Sequence, residues 1–401
     1  MLVNSSILDV LFRAFHIQRW NDRVRPMSMI EMDKHAHKMI IAYCLGKYEE
    51  MDGNKIDWQE MIRRGIYELM RRIVISDIKS PIFTEIKKNK KVFRELNKYV
   101  FNKLKPMIGS ERIKNEFEVF LFDEGEETLT ARVLEAAHIY SSYWEFEIIK
   151  ISNPFIHQNS RISKDLQNRV DSYQDLLGIR NIISRKSIVN FIDLCGQLRF
   201  QIRWAQTPRV PETSVLGHSL LVAIIGYLFS RDNDACDRRL YNNFFGGLFH
   251  DLPEAVTRDI ISPIKKGNPE FDDLIKSLEK SLTDEEIFPH LESDWVGEIE
   301  YYLKDEFHNK VIVEGEILNE NLTTDIINEK YNSDEFSPYD GQIIRAADKL
   351  TAFLEAYNSC SSGIKSEELT GAMTAIKSKY MKQKLGKVSI DSLYASFKTN
   401  F

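Results

Sequence analysis

Four side chains in the C-terminal half of this 401-residue chain are of types that bind a divalent metal ion: His218, the adjacent pair His250-Asp251, and Asp348. Imidazole and carboxylate together suit Mn, Fe, Co or Zn rather than Mg alone. On an octahedral ion, four protein ligands leave two positions for water and a substrate oxygen. Such an ion lowers the pKa of the water and polarises a phosphoryl group. The set therefore predicts one divalent metal ion and the hydrolysis of a phosphate ester.

A carboxylate that could handle the attacking water follows the His-Asp pair. Glu254 lies four residues after His250 and three after Asp251, so on a continuous helix it would share their face. From there it could take a proton from the water. Asp259 lies further on, just before Ser262-Pro263, where a helix must end.

Taken one at a time, these residues have ordinary structural explanations. A single His at the start of an apolar helix, such as His218, is more often a core or capping residue. A His-Asp dipeptide is common, and Asp348 could pair with Lys349. Short motifs carry a risk of false matches. The combination, in this order on a helical chain, is what favours a metal site.

Helical periodicity dominates the chain and must position these side chains. Gly (18) and Pro (11) are sparse, and no series of alternating strands separated by turn pairs occurs, so the predicted fold is all-α. The segments with apolar residues at three-to-four spacing are Ile7–Trp20, Lys38–Glu49, Trp58–Ile73, Ala131–Ile149, Ile188–Trp204, Ser219–Ser230 and Ile343–Asn358.

Composition excludes several classes of protein. A net charge of −6 argues against a chain that binds nucleic-acid polymers or anionic membranes over its whole length. The longest apolar stretch, around Ser219–Phe229, is too short to span a bilayer, and the N-terminus lacks the pattern of a cleaved leader. The 4 cysteines are scattered without CxxC pairing, so we expect a reducing, cytoplasmic environment.

Four blocks of sequence recur in the same order, which indicates an internal repeat. The blocks pair Arg19-Trp20 with Arg203-Trp204, Ile40–Tyr43 with Ile224–Tyr227, Asp77–Ile82 with Asp259–Ile264, and the helix around Ala136-Ala137 with that around Ala346-Ala347. We therefore predict two copies of one helical domain, residues 1–150 and 187–365. A connector at 151–186 with a helix or two and a tail at 366–401 complete the chain.

The order His, His-Asp, Asp resembles the HD-domain metal-dependent phosphohydrolase superfamily. More narrowly, residues 187–365 resemble bacterial 5′-deoxynucleotidases of the YfbR type, which remove phosphate from deoxynucleoside 5′-monophosphates within an all-α bundle. The residues that carry this resemblance are Arg203-Trp204, Gly217–Ala223, Phe249–Lys266 and Ala346–Ala356.

The resemblance implies a role for each matching residue. One divalent metal would be held by His218, His250, Asp251 and Asp348. Glu254 would orient or deprotonate the water, and Asp259 would lie near the leaving oxygen or a second water. Arg203 would bind the phosphate with its bidentate fork. Trp204 would pack on the deoxyribose, and Lys265 would add positive charge near the phosphate. A surface Arg beside a core-filling Trp is the structural alternative for the Arg203-Trp204 pair.

Two features depart from the family pattern. The family usually has an acidic residue before the first His, where this chain has Gly217. The segment between Lys266 and Gly341 is also longer than compact members need. Its acidic, aromatic stretch Ser293–Phe307 could be a lid, a subunit contact or a solvated helix face, and the last is the default for a charged helix.

The first copy has lost part of the ligand set. Lys34 stands opposite His218, Glu68 opposite His250, Arg72 opposite Glu254 and His138 opposite Asp348. A cluster of His35, Glu68 and His138 could still bind a metal, but the missing carboxylates make hydrolysis there unexpected. Because related single-domain enzymes are homodimers, the two copies could pack as an internal pseudo-dimer.

Three functions remain open at this point. The first is a metal-dependent phosphatase acting on (deoxy)nucleoside 5′-monophosphates. The second keeps the metal site but acts as a (d)NTP triphosphohydrolase or cyclic-nucleotide phosphodiesterase. The third is a nucleotide-sensing protein that binds without turnover. The partner expected in each case is a nucleotide, and whole chains could form a homodimer.

Overall fold

The computed structural model describes residues 1–76, 78–123, 125, 127–258 and 269–398. The helices of the first half and the connector are α1 (Ser5–Phe12), α2 (Glu31–Met51), α3 (Trp58–Val74), α4 (Ser80–Lys88), α5 (Lys90–Leu104), α6 (Glu111–Phe122), α7 (Leu129–Ile151), α8 (Asn159–Asp171) and α9 (Leu177–Ile183). Those of the second half are α10 (Ile188–Gln197), α11 (Val215–Asp232), α12 (Asp237–Phe249), α13 (Glu254–Thr257), α14 (Pro269–Leu282), α15 (Ser293–Leu303), α16 (Thr324–Ile326), α17 (Gly341–Ser361), α18 (Glu367–Lys379) and α19 (Ile390–Ala395).

Short 3-10 and π turns and five small strands complete the described part of the chain. The 3-10 turns are Arg13–Phe15, Leu198–Phe200, Phe288–His290 and Asp334–Phe336, and the π turns are Thr283–Ile287 and Ile327–Tyr331. An antiparallel sheet has the order β2 (Glu316–Leu318), β1 (Asn309–Val313), β3 (Tyr339–Asp340), and β4 (Lys384–Leu385) pairs with β5 (Val388–Ser389). The fold is all-α, as the periodicity predicts, and the strands only link helices.

The two halves share one hydrophobic core. Helices α2 and α11, which are equivalent in the sequence repeat, pack on each other, and α3 packs on α12. The ring of Tyr43 on α2 lies 5.0 Å from that of Phe245 and 5.2 Å from that of Phe249 on α12. The copies therefore contact each other through equivalent helices, as in an isologous dimer interface.

Helix α11 lies at the centre of this core. By length and composition it could cross a membrane, but 94% of it is buried inside the protein. It packs against α2, α12 and α17. A helix that is apolar on all faces is expected where protein surrounds it on all sides, so α11 is a core helix.

The Arg-Trp pairs do not close helices, contrary to the prediction from periodicity. Helix α1 ends at Phe12 and α10 at Gln197, and each continues only as a 3-10 turn. Trp20 and Trp204 follow in loops, with left-handed backbone at φ 53° and 60°. Their side chains hydrogen-bond to distant helices, and these long-range contacts override the local helical pattern.

The acidic segment Ser293–Phe307 has a solvated face, with Asp294 and Glu300 exposed, as the default interpretation predicts, but its other face also contacts the core. On α15, Trp295 and Tyr302 are buried in the shared core. Glu298 accepts hydrogen bonds from Tyr43 of the first half at 2.7 Å and from Tyr241 at 2.6 Å. The charge of Glu298 is thus used in a contact between the halves.

Candidate metal centre

Three separate elements carry the predicted metal ligands. His218 lies in the first turn of α11, which Ser214 caps by accepting a hydrogen bond from the Gly217 N–H at 2.9 Å. His250 is the C-terminal cap of α12, and Asp251 follows in the next turn. Asp348 lies within α17. The packing of α11 against α12 and α17 brings these elements together.

The four predicted ligands gather at one place. Single ligand atoms of His218, His250 and Asp251 all lie within 4.8 Å of one another, and among the described residues this is the group of three that could hold a metal ion. Asp348 joins it, because its Oδ1 lies 3.1 Å from His218 Nε2. His250 Nε2 lies 3.2 Å from Asp251 Oδ2. The distances suit side chains that share a small cation.

The Nδ1 atom of each imidazole faces an acceptor, which leaves Nε2 of each available as a metal ligand. His250 Nδ1 lies 2.8 Å from the carbonyl oxygen of Gly247. His218 Nδ1 lies 3.4 Å from Glu355 Oε1. A metal-bound His usually donates its second N–H to such a carbonyl or carboxylate, which fixes the tautomer and the ring orientation. Two imidazoles, two carboxylates and these acceptors therefore fit a divalent transition metal.

Glu355 is a site residue that the sequence reasoning missed. It is fully buried and accepts hydrogen bonds from Trp204 Nε1 and Thr213 Oγ1, both at 2.8 Å. The repeat carried a signal for it, because Glu145 occupies the equivalent place relative to the paired alanines. Glu355 lies two helical turns from Asp348 within the block Ala346–Ala356, and its type and spacing alone do not show that it faces His218.

Burial opposes charge on the carboxylates of the site, but ion pairs outweigh it. Burial raises the pKa of Asp348, yet Lys349, with Nζ 2.8 Å from Asp348 Oδ2, and His218 hold that pKa well below its usual value. Burial also acts on Glu355, whose pKa is nevertheless lowered by Arg203 and His218. Both acids are therefore charged at neutral pH, as metal binding requires.

Arg203 and Trp204 lie beside the ligands. Arg203 Nη1 lies 3.7 Å from Asp251 Oδ2, and Arg203 Nε lies 3.4 Å from Glu355 Oε1. Burial lowers the pKa of Arg203, but Glu355 and Asp251 raise it above its usual value, so the guanidinium stays charged. Trp204 is half-buried and uses its indole N–H on Glu355. The pair thus has a structural role in addition to any contact with substrate.

Glu254 does not share a continuous helix with His250 and Asp251, contrary to the prediction. Helix α12 ends before His250, and the one-turn helix α13 begins at Glu254. Pro253 explains the break, because its ring lacks an N–H and clashes with the preceding turn. Glu254 nevertheless lies near Arg203, whose pKa it helps to raise. Asp259 and Lys265, with the Ser262-Pro263 pair, lie outside the described residues.

The space beside Gly217 is filled from the other half. A Cβ at position 217 would lie 2.7 Å from Asp33 Oδ1 and 2.7 Å from Phe15 Cε1. Asp33 accepts a hydrogen bond from Ser214, the cap of α11. Asp33 is the repeat equivalent of Gly217, so an acidic group from the first half lies beside the glycine that precedes His218.

The equivalent place in the first half contains ammonium groups. The Lys34 Nζ, opposite His218 in the repeat, contacts His138 Nδ1, and Lys38 donates a hydrogen bond to Glu68. His35 turns away, with Nε2 2.7 Å from the carbonyl oxygen of Gly65. The predicted cluster of His35, Glu68 and His138 is therefore not assembled as a metal site in the described structure.

Two protein-family profiles match successive parts of the chain. A family profile described as HD domain matches residues 195–377, and one described as 5'-deoxynucleotidase YfbR-like matches residues 7–175. The narrower YfbR-type match thus falls on the half with the lysines, although the sequence motifs suggested it for the other half. No curated protein matches the chain significantly. The HD family is metal-dependent, and both are hydrolase families. The two matches follow one another along the chain, which therefore belongs to the HD-domain phosphohydrolases as a tandem of two such units.

Proposed function

We propose that the second half removes phosphate from (deoxy)nucleoside 5′-monophosphates with the help of one divalent metal ion, Mn, Co, Fe or Zn. The ligands would be His218, His250, Asp251 and Asp348. The observation that carries the proposal is the convergence of three ligand atoms within 4.8 Å, with an arginine nitrogen 3.7 Å from one of them. A cation site beside a guanidinium suits a phosphate group.

The residues around this site have distinct tasks. A bound metal would supply an acidified water and polarise the phosphoryl oxygen. Arg203 would hold the phosphate, and Glu254 would take the proton of the attacking water. Glu355 would keep His218 oriented. Trp204 would offer its ring to the deoxyribose, because its N–H is already used by Glu355. Asp259 near the leaving oxygen and Lys265 near the phosphate stay predictions from the sequence.

A substrate panel tests the proposal. Phosphate release should be measured with Mn²⁺ or Co²⁺ on deoxynucleoside monophosphates, the corresponding triphosphates and cyclic nucleotides. We expect the monophosphates to be hydrolysed by the wild type. Glu254→Ala should keep metal but lose turnover, whereas Asp251→Ala should lose both. Asp237→Ala, at the start of α12 away from the ligands, is the control and should behave as wild type.

Other outcomes would contradict it. Cleavage of a triphosphate with intact monophosphates would indicate a triphosphohydrolase, and cleavage of cyclic nucleotides alone would indicate a phosphodiesterase. Nucleotide binding by metal-loaded protein without any turnover would indicate a sensor.

We also propose that residues 1–150 and 187–365 form an internal pseudo-dimer in the cytoplasm. The contact of the equivalent helices α2 and α11 supports the pseudo-dimer. The four free cysteines, of which Cys44, Cys195 and Cys360 are buried, support the reducing environment of the cytoplasm. Because the paired surface is already covered, the chain should be a monomer by light scattering. A stable homodimer would contradict this arrangement.

A further inference from the structure

The first half contains a buried lysine at the place of a metal ligand. Lys34 is completely buried on α2, and its Nζ contacts His138 Nδ1. Among the described residues, no carboxylate lies within ion-pair distance of this ammonium group. Its cationic neighbours do have such partners: Lys38 pairs with Glu68, and Arg19 with Glu31 at 2.9 Å.

A buried charge without a counter-ion is costly, so an anion would bind there favourably. Burial and the nearby Arg19 lower the pKa of Lys34 well below its usual value despite Glu31 and Glu145, so a bound anion would stabilise the protonated form. Burial, together with Lys34, Lys38, Lys87 and Arg19, also lowers the pKa of His138. Four basic side chains thus lower the pKa of one imidazole, which marks a place of positive potential.

The residues around Lys34 repeat the arrangement around Arg203, the residue proposed to bind phosphate in the second half. Arg19 corresponds to Arg203, and Arg19 Nε lies 2.8 Å from Glu145 Oε2. Arg72, opposite Glu254 in the repeat, pairs through Nε with Glu31 at 3.2 Å, and 24% of its side chain is exposed. His138 is half-buried, so the edge of the cluster reaches the surface.

We propose that the first half binds a phosphate monoester dianion without a metal. The ammonium of Lys34 supplies the positive charge that a metal supplies in the second half, and Arg19 and Arg72 contact the phosphate oxygens. The site holds its ligand without hydrolysing it, because Arg72 replaces the proton-accepting Glu254. This inference depends on the first-half residues alone and stands apart from the activity of the second half.

Calorimetric titration of the full chain in excess EDTA tests the proposal. The probes are inorganic phosphate and a deoxynucleoside 5′-monophosphate, each added to wild type, Asp251→Ala, Lys34→Met and Arg72→Gln. We expect wild type and Asp251→Ala to bind equally. Lys34→Met and Arg72→Gln should bind at least about tenfold more weakly, because each loses a charge that faces the phosphate. Lys47→Met on the same helix, where the lysine pairs with Glu298, is the matched control and should bind as wild type.

The same titrations show whether the site recognises the phosphate group alone or the whole nucleotide. Tighter binding of the nucleotide than of inorganic phosphate shows that base or sugar is recognised, and equal binding shows recognition of the phosphate alone. The melting temperature of each variant without ligand checks its folding, and Arg72→Gln, with its partly exposed side chain, carries the test if Lys34→Met unfolds. Absence of binding to metal-free wild type, or binding that Asp251→Ala abolishes and Lys34→Met retains, would overturn the proposal.

Discussion

In both halves of the molecule, a tryptophan with left-handed backbone donates its indole N–H to a buried glutamate on a long helix. Trp20 donates to Glu145 at 2.9 Å, and Trp204 donates to Glu355 at 2.8 Å. The arginine before each tryptophan pairs with the same glutamate. This arrangement recurs where the metal ligands do not, so it is part of the fold of both halves and does not depend on a metal.

The halves differ in the charges placed inside this common frame. The second half presents two imidazoles and two carboxylates, whereas the first presents Lys34, Lys38 and Arg72 at or near the equivalent positions. A buried ion pair is costly to break from one side, because the other charge is left alone. Selection can therefore change the residues that face the ligand while the Arg-Trp-Glu frame persists.

The largest expected effect is on the rate of phosphate release, which should depend on the metal ligands of the second half and not on the equivalent residues of the first. Asp251→Ala should lower phosphate release by about 10³-fold or more, because a charged ligand worth several kcal/mol is lost. Glu68→Gln is the matched change in the first half. Because Glu68 pairs with Lys38, this variant should keep a rate within about threefold of wild type. Initial rates and metal content per chain measure both. Equal losses in the two variants would mean that the halves act as one site.

The shared frame can be tested by the matched pair Glu355→Gln and Glu145→Gln. Glu355→Gln should weaken metal affinity by about 10–100-fold, as loss of an acceptor behind a ligating His usually does. Glu145→Gln should leave metal affinity unchanged. Each should lower the free energy of unfolding by about 3–5 kcal/mol, because a buried arginine loses its counter-ion. A metal defect in Glu145→Gln would show that the two glutamates do not differ in role.

Asp33 links the halves in a way that depends on pH. Burial, opposed by Arg199 and Ser214, raises the pKa of Asp33 from 3.8 to about 7. The folded protein then binds a proton that the unfolded chain releases, so the contribution of Asp33 to stability is present below about pH 4 and is lost as the pH rises to 7. Asp33→Asn should remove this loss, on the order of 2–4 kcal/mol.

Urea unfolding at pH 4.5 and pH 8 measures the difference between Asp33→Asn and wild type. The variant should gain stability relative to wild type at the higher pH. A difference that is the same at both pH values would show that Asp33 is charged throughout.

The smallest expected effect concerns the close approach of the halves at Gly217. Gly217→Ala should lower the free energy of unfolding by about 1–3 kcal/mol, because its Cβ would overlap Asp33 and Phe15. Gly371→Ala on α18 meets no atom within 4 Å and should instead be stabilising by about 0.5–1 kcal/mol. Equal effects in thermal unfolding would show that the contact at Gly217 is loose.

Residue types and spacing were sufficient to predict the helical fold, the repeat and the proximity of His218, His250 and Asp251, and metal binding by these three with Asp348 stays a prediction. They failed where packing decides. Glu254 was expected on one helix face with His250, but Pro253 ends that helix. One face of the charged helix α15 lies in solvent as expected, but the pattern did not show that Glu298 accepts hydrogen bonds from Tyr43 and Tyr241 in the two halves. A pattern of charges in the sequence cannot show that a hydrogen-bond partner such as Tyr43 lies 255 residues away along the chain.

The sequence by itself determined which atoms could bind a metal and which half had exchanged them for ammonium groups, because these properties belong to single side chains. The tertiary structure alone decided that Glu355 faces His218 and that Asp33 fills the space beside Gly217. Those contacts join residues from different helices, and their geometry follows from how α2, α11 and α17 pack, which no local pattern encodes.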